Sequence, residues 1–111
     1  MEISFADARL KQACEAAAER QRKWGQPAAK NLKTRLDDLR AAKCMEDMRN
    51  LSGRWEELSG DRTGYFSCRL DKGLRLILRP THQPPPSKED GGLDWQHIEQ
   101  ITITEVVNYH D

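Results

Sequence analysis

The stretch that most restricts what this chain can become is Gly60 to Arg79, G-D-R-T-G-Y-F-S-C-R-L-D-K-G-L-R-L-I-L-R. A turn-forming segment leads into two short β-rich runs joined through Asp71-Lys72-Gly73, and Lys72-Gly73 offers the positive-φ residue that a tight hairpin needs. Tyr65, Phe66 and Cys68, then Leu74, Leu76, Ile77 and Leu78, give the partly alternating pattern of strands with one packed face. The hairpin is therefore the expected centre of a small sheet. Arg54, Arg62, Arg69, Arg75 and Arg79 mark the hairpin and the turn before it. Because strand side chains alternate between faces, Arg75 and Arg79 are expected opposite the apolar stripe, as a cationic floor suited to phosphate.

The segment before the hairpin reads as helical. Met1 to Phe5 is a lead-in strand or an anchored arm, and Ser4 or Asp7 is placed to cap the helix that follows. Leu10, Ala13, Cys14 and Ala17 recur at three- and four-residue spacing as far as Trp24, and Gly25 is a natural stop. Pro27 then opens a second helix, with Ala29, Leu32, Leu36 and Leu39 as its apolar stripe through about Ala42. Lys30, Lys33, Arg35 and Arg40, mixed with Asp37 and Asp38, are expected on its wet side. The connector Cys44 to Met48 is expected to make a single turn, its methionines filling the gap beneath the helices. Arg54 to Leu58 is a candidate first strand of the β half, with Trp55 and Leu58 turned inward.

After Arg79 the composition changes abruptly. P-T-H-Q-P-P-P-S-K-E-D-G-G cannot join a sheet, so a Pro/Gly-rich loop insertion is expected over 80–95. The reading as a tolerated insertion stands beside that of a flap over the cationic face. The last segment, H-I-E-Q-I-T-I-T-E-V-V, is a β-branched strand with Ile98, Ile101, Ile103, Val106 and Val107 as core candidates.

A chain of 111 residues is one domain, 1–111, able to bury a core without disulfides or metal. Eighteen basic and eighteen acidic residues cancel, so an argument for a polyanionic partner must rest on local segregation of charge. Cys14, Cys44 and Cys68 are odd in number and lack C-x-x-C spacing, which favours neither a disulfide framework nor zinc. The first residues lack the basic and apolar regions of a leader, and no apolar run approaches a membrane span, so a soluble, cytoplasmic protein without membrane partners is expected.

The terminal Asn108-Tyr109-His110 follows a strand and should stand at a sheet edge. A tyrosine ring can stack on an unpaired base, a histidine can move a proton to or from ribose and phosphate oxygens, and an arginine can hold the charge that builds between them. The alternative for both residues is plain surface or partner contact. His82 and His97 lack ligand spacing to other metal-binding residues, so no metal and no cofactor are expected. Gly60 to Gly64 lacks the lysine of a phosphate loop, and Trp24, Trp55 and Trp95 read as packing residues at element ends.

Taken in order, the two helices, A-K-C-M-E-D-M, L-S-G-D-R-T-G-Y-F-S, G-L-R-L-I-L-R and V-V-N-Y-H-D resemble the HigB, or plasmid-maintenance killer, branch of the RelE/ParE toxin superfamily. The resemblance spans nearly the whole chain and leaves the proline loop as an insertion. It implies an α+β fold, with an N-terminal helical hairpin packed on a small, mainly antiparallel sheet. It further implies the toxin of a type II toxin–antitoxin system, cleaving mRNA on the ribosome by metal-independent attack of the 2′-hydroxyl on the adjacent phosphate. A HigA-like helix-turn-helix antitoxin would hold it in check, and operator DNA would be reached only through that complex.

Position by position, the resemblance makes Arg75 the phosphate-holding arginine and Tyr109 and His110 the terminal catalytic pair, with Gly60-Asp61-Arg62 at the rim of the site. Arg62, Arg69, Arg79 and Asn108 complete the expected RNA-binding set. Where the family has a histidine and a lysine before the G-D-R turn, this chain has Glu56 and Ser59, and Asn108 replaces an acid. Glu56 is then the candidate general base, and the expected nuclease is a weak one. Two other readings follow from the same resemblance: a ParE-like toxin acting on DNA gyrase without cutting, and a catalytically weakened chain kept as an antitoxin-binding corepressor.

Overall fold

In the computed structural model, which describes residues 1–108, the N-terminal segment forms a strand, β1 (Glu2–Phe5). Asp7 caps the first helix, its carboxylate accepting from the Leu10 N–H at 2.7 Å. The helical stretch expected to run unbroken to Trp24 is split into α1 (Ala8–Glu15) and α2 (Ala17–Trp24) by an extended Ala16. Alanine is the strongest helix former, so propensity does not make this break. Buried Arg20 does: its Nη1 donates to the Cys14 carbonyl at 2.9 Å, satisfying an acceptor that the end of α1 leaves open. Gly25, at φ 84, ends α2, and Pro27 lies in the first turn of α3 (Gln26–Ala41). The hairpin's first arm is thus two short helices and its second is α3.

Ala28, Ala29, Leu32, Leu36 and Leu39 of α3 enter the core. Lys30, Lys33 and Arg40 are exposed as their charge suggests, but Arg35 is not on the wet side. It is 9% exposed, and its Nε donates to the Arg69 carbonyl at 3.1 Å. Four residues earlier on the same face, Asn31 Nδ2 donates to the Leu70 carbonyl. A 3₁₀ turn at Met45–Asn50 places fully buried Met45 and Met48 beneath the helices.

Among the described residues five strands form one sheet in the order β1-β5-β4-β3-β2. The remaining strands are β2 (Glu56–Glu57), β3 (Phe66–Asp71), β4 (Leu74–Pro80) and β5 (Gln100–Asn108). β1 runs parallel to β5 and every other pair is antiparallel, the mainly antiparallel α+β arrangement expected. Phe66, Cys68 and Leu70 of β3, Leu76 and Leu78 of β4, and Ile101 and Ile103 of β5 face the helices. Lys72 takes the positive φ of the β3–β4 turn, at 29°. The candidate strand over residues 54–58 shortens to β2 because Arg54, at φ 51, leaves the extended region.

The loop expected over 80–95 begins one residue later, because Pro80 ends β4 opposite Ile101; the rest of the Pro/Gly-rich segment stays out of the sheet and is fastened at its far end. Leu93 and Trp95 are buried in the core, with the Trp95 ring edge-on to Phe66 at 4.8 Å. The Glu57 carboxylate accepts from the Leu93 N–H at 3.0 Å and from Trp95 Nε1 at 2.9 Å. The Arg49 guanidinium lies 3.7 Å from the Trp95 ring centroid on the outer side.

Candidate functional site

The face of the sheet turned away from the helices carries the charge. Pairing sets its rows. Arg69 lies opposite Arg75, and Arg75 opposite Val107. The next row is Glu56, Ser67, Ile77 and Glu105, and a third joins Arg79, Thr102 and Ser4. Ser67, Ile77 and Thr102 are buried on this face while Glu56 and Arg69 are exposed. Val107, expected in the core, shares the Arg75 row instead, because the β4–β5 register slips between Ile77 and Leu78 and Thr104 becomes the extra residue. The Thr104 hydroxyl donates to the Ile77 carbonyl at 3.1 Å within that irregularity.

Arg75 Nη1 donates to the Lys72 carbonyl at 3.1 Å, so the guanidinium is held against the hairpin turn. Arg79 donates to the Pro80 carbonyl at 3.1 Å and stands four residues along the strand, roughly 13 Å from Arg75 at strand rise. The two arginines expected to share a floor therefore occupy opposite ends of it. Arg62, in the 3₁₀ turn Gly60–Arg62, directs Nη1 to Glu105 Oε1 at 2.6 Å. With Asp61, Tyr65 and Thr104 this pair lines an open cleft of about 550 Å³. Both partners are more than a third exposed, so solvent holds the pair's worth to about 0–1 kcal/mol.

Glu56 shares the face of Arg75 but is not beside it: two strands across and two residues along, roughly 12 Å between Cα atoms. Its diagonal neighbour is Arg69. Asn108 lies opposite Leu74 at the exposed end of β5, on the parity opposite to Arg75 and Val107. Tyr109 and His110 lie outside the described residues.

One residue was named in the sequence but not placed in the candidate set. Arg54 is exposed, and the carbonyl of Gly53 just before it accepts from the Arg69 N–H at 2.7 Å. That bond sets the segment just before β2 alongside the Arg69–Arg75 row. No periodicity signals it, because Gly53 at φ 122 and Arg54 at φ 51 interrupt the alternation that sequence patterns detect.

This α+β fold, three helices packed on one face of a five-stranded sheet among the described residues, is similar to that of YoeB/ParE toxins of known structure. Among solved structures, the YoeB/ParE toxin from Agrobacterium tumefaciens is 14% identical, each chain covered over 100% of its length, at a TM-score of 0.59. The YoeB-YefM complex from Staphylococcus aureus gives 16% identity over 100% of this chain and 98% of the other, at 0.56. The YoeB dimer from the same organism gives 17%, 100% and 98%, at 0.54. At such identities the likeness is one of fold. No protein-family model and no curated protein sequence matches the chain.

Proposed function

We propose that this chain is the toxin of a type II toxin–antitoxin pair, a metal-independent endoribonuclease that cuts mRNA on the ribosome. The observation that carries the reading is the cross-strand Arg69–Arg75 pair on the sheet face turned from the helices. Two arginine side chains that start from register partners on one face give a cationic patch suited to an anionic ligand. The sequence motifs resemble those of the HigB branch, and the full-length likeness to YoeB folds supports the wider toxin class. The partner would be a HigA-like antitoxin; the structural neighbours include a heterotetrameric YoeB-YefM toxin-antitoxin complex. No helix among the described residues is long and apolar enough to cross a membrane. Action on ribosomes makes the cytoplasm its place.

In this reaction the 2′-oxygen attacks phosphorus, the P–O5′ bond breaks, and a 2′,3′-cyclic phosphate and a free 5′-hydroxyl result. A base takes the 2′ proton and an acid supplies one to the departing 5′-oxygen. Arg75 balances the charge that grows on the non-bridging oxygens. His110 is the proton donor, Tyr109 stacks on the base beside the cut, and Glu56 is the base. Arg62 and Arg79 hold flanking RNA, while the parity of Asn108 sets it apart from that face. A weak nuclease is expected, because a carboxylate beside phosphate also repels it.

The test is expression of the chain alone, beside Arg75→Ala and His110→Ala, with transcript 5′ ends mapped. New cuts in translated frames should accompany growth arrest, and cutting should fall about 10²–10³-fold in Arg75→Ala. Arrest without cuts would overturn the reading in favour of a gyrase-directed toxin, and a folded product without arrest in favour of a corepressor.

A further inference from the structure

We infer that Arg54, in the segment just before β2, and Arg69 and Arg75, of β3 and β4, form one anion-binding row that seats the sugar–phosphate backbone of single-stranded RNA. The RNA would cross the strands rather than run along them. This rests on the reading of the chain as an RNA-directed protein and adds Arg54 and a direction to it.

The row is built by main-chain bonds. Arg69 and Arg75 are register partners, and the Arg69 N–H to Gly53 carbonyl bond, at 2.7 Å, brings Arg54 to the next position. Adjacent strands lie roughly 4.8 Å apart, so long flexible arginines on successive strands offer a charge at each step across the sheet. The chain has no net charge, and four of its helical cations are held in ion pairs: Arg22 with Glu19, Lys33 with Asp37, Arg40 with Glu15, Arg49 with Glu46. Among the described residues neither the Arg54 nor the Arg69 guanidinium has a hydrogen-bond or ion-pair partner. Two guanidiniums without such a partner, those of Arg54 and Arg69, therefore stand beside Arg75.

Arg54 also holds a left-handed backbone, φ 51, which β-carbon-bearing side chains rarely adopt and where glycine or asparagine would sit at ease. A strained, exposed cation beside two others is an arrangement that folding alone does not call for. Register places Glu56 one row away and diagonal to Arg69, beside a phosphate seated on the row. Guanidinium–phosphate contacts read no bases, so the row sets affinity and direction and leaves sequence choice elsewhere.

The test uses the purified full chain and a short fluorescein-labelled, mixed-sequence, single-stranded 2′-O-methyl RNA, which keeps its phosphates and cannot be cut by 2′-oxygen attack. Anisotropy titrations between about 50 and 200 mM salt should give a log–log slope near −2 for three phosphate contacts. Arg54→Asn, suited to a positive φ, should reduce that slope by about 0.7 and weaken binding alike for unrelated sequences. Arg54→Lys should keep the slope. Wild-type affinity and slope in Arg54→Asn, or no binding by the wild type at about 50 mM salt, would overturn the row. Transcript cleavage by a chain whose oligonucleotide binding ignores Arg54 removes the row and leaves the nuclease standing. Arg54-dependent binding without cleavage in cells leaves the row standing and removes the nuclease.

Discussion

Burial of a thiol in an apolar core disfavours the thiolate, and Cys14 and Cys68 are both fully buried. Desolvation pushes the Cys14 thiol up from 9.0 to about 11, against the opposing pull of Arg20. Desolvation pushes Cys68 further in the same direction, with Arg35 opposing. A raised folded pKa means that the protonated thiols contribute fully below about pH 9 and that this contribution is lost as pH climbs through the folded value. Between pH 9 and 11, Cys14 alone should forfeit about 3 kcal/mol. The urea midpoint is therefore expected to fall over that range, and the fall should be shallower in Cys14→Ala; an identical pH slope in the variant would show the thiol to be uninvolved. Arg35 illustrates how little of such detail a residue's type discloses. Its charge suggested solvent, yet it runs under Gly53, where an added β-carbon would come within 2.6 Å of its Nε. Arginine can bury its stem and head where carbonyls are waiting, and the Arg69 carbonyl is waiting there.

Among the elements, the α1–α2 break depends on a side chain. Arg20→Met keeps most of the apolar bulk and removes the donor to the Cys14 carbonyl, so stability should drop by about 1.5–3 kcal/mol, the usual worth of a charged hydrogen bond. Chemical denaturation measures it, and an unchanged midpoint would mean that the break is held by something else. Asp7, Gly25 and Pro27 made the helix ends legible in advance because caps and breakers act locally. The break at Ala16 was not legible, since A-A-A carries no stop signal and the cause is a tertiary contact six residues away. The strands show the same division. Alternation put Arg75 on the correct face, whereas the meeting of Arg69 with Arg75 depends on the Lys72-Gly73 turn and the place of Val107 on a bulge. Glu56 was named from the resemblance alone, and its place relative to Arg75 depends on the β2–β3 and β3–β4 registers.

At the scale of the molecule, the sheet joins the first element of the chain to the last. Ser4 and Thr102, 98 residues apart, share a hydroxyl hydrogen bond of 2.8 Å, and Ile3 and Phe5 pair with Ile101 and Ile103 in the core. β5 lies between β1 and β4, so neither of those strands has its inner neighbour until residues 100–108 are present. Contacts of such long separation form late, after the loop entropy of the intervening chain has been met. Nascent chains arrested with β5 still inside the exit tunnel are expected to be cut readily by a nonspecific protease, and released full-length chains to resist it; equal resistance would show that the first 99 residues fold alone. The strand that closes the sheet is thus the last one made among the described residues, and the flank of β4 beside Arg75 and Arg79 stays an open edge until β5 arrives.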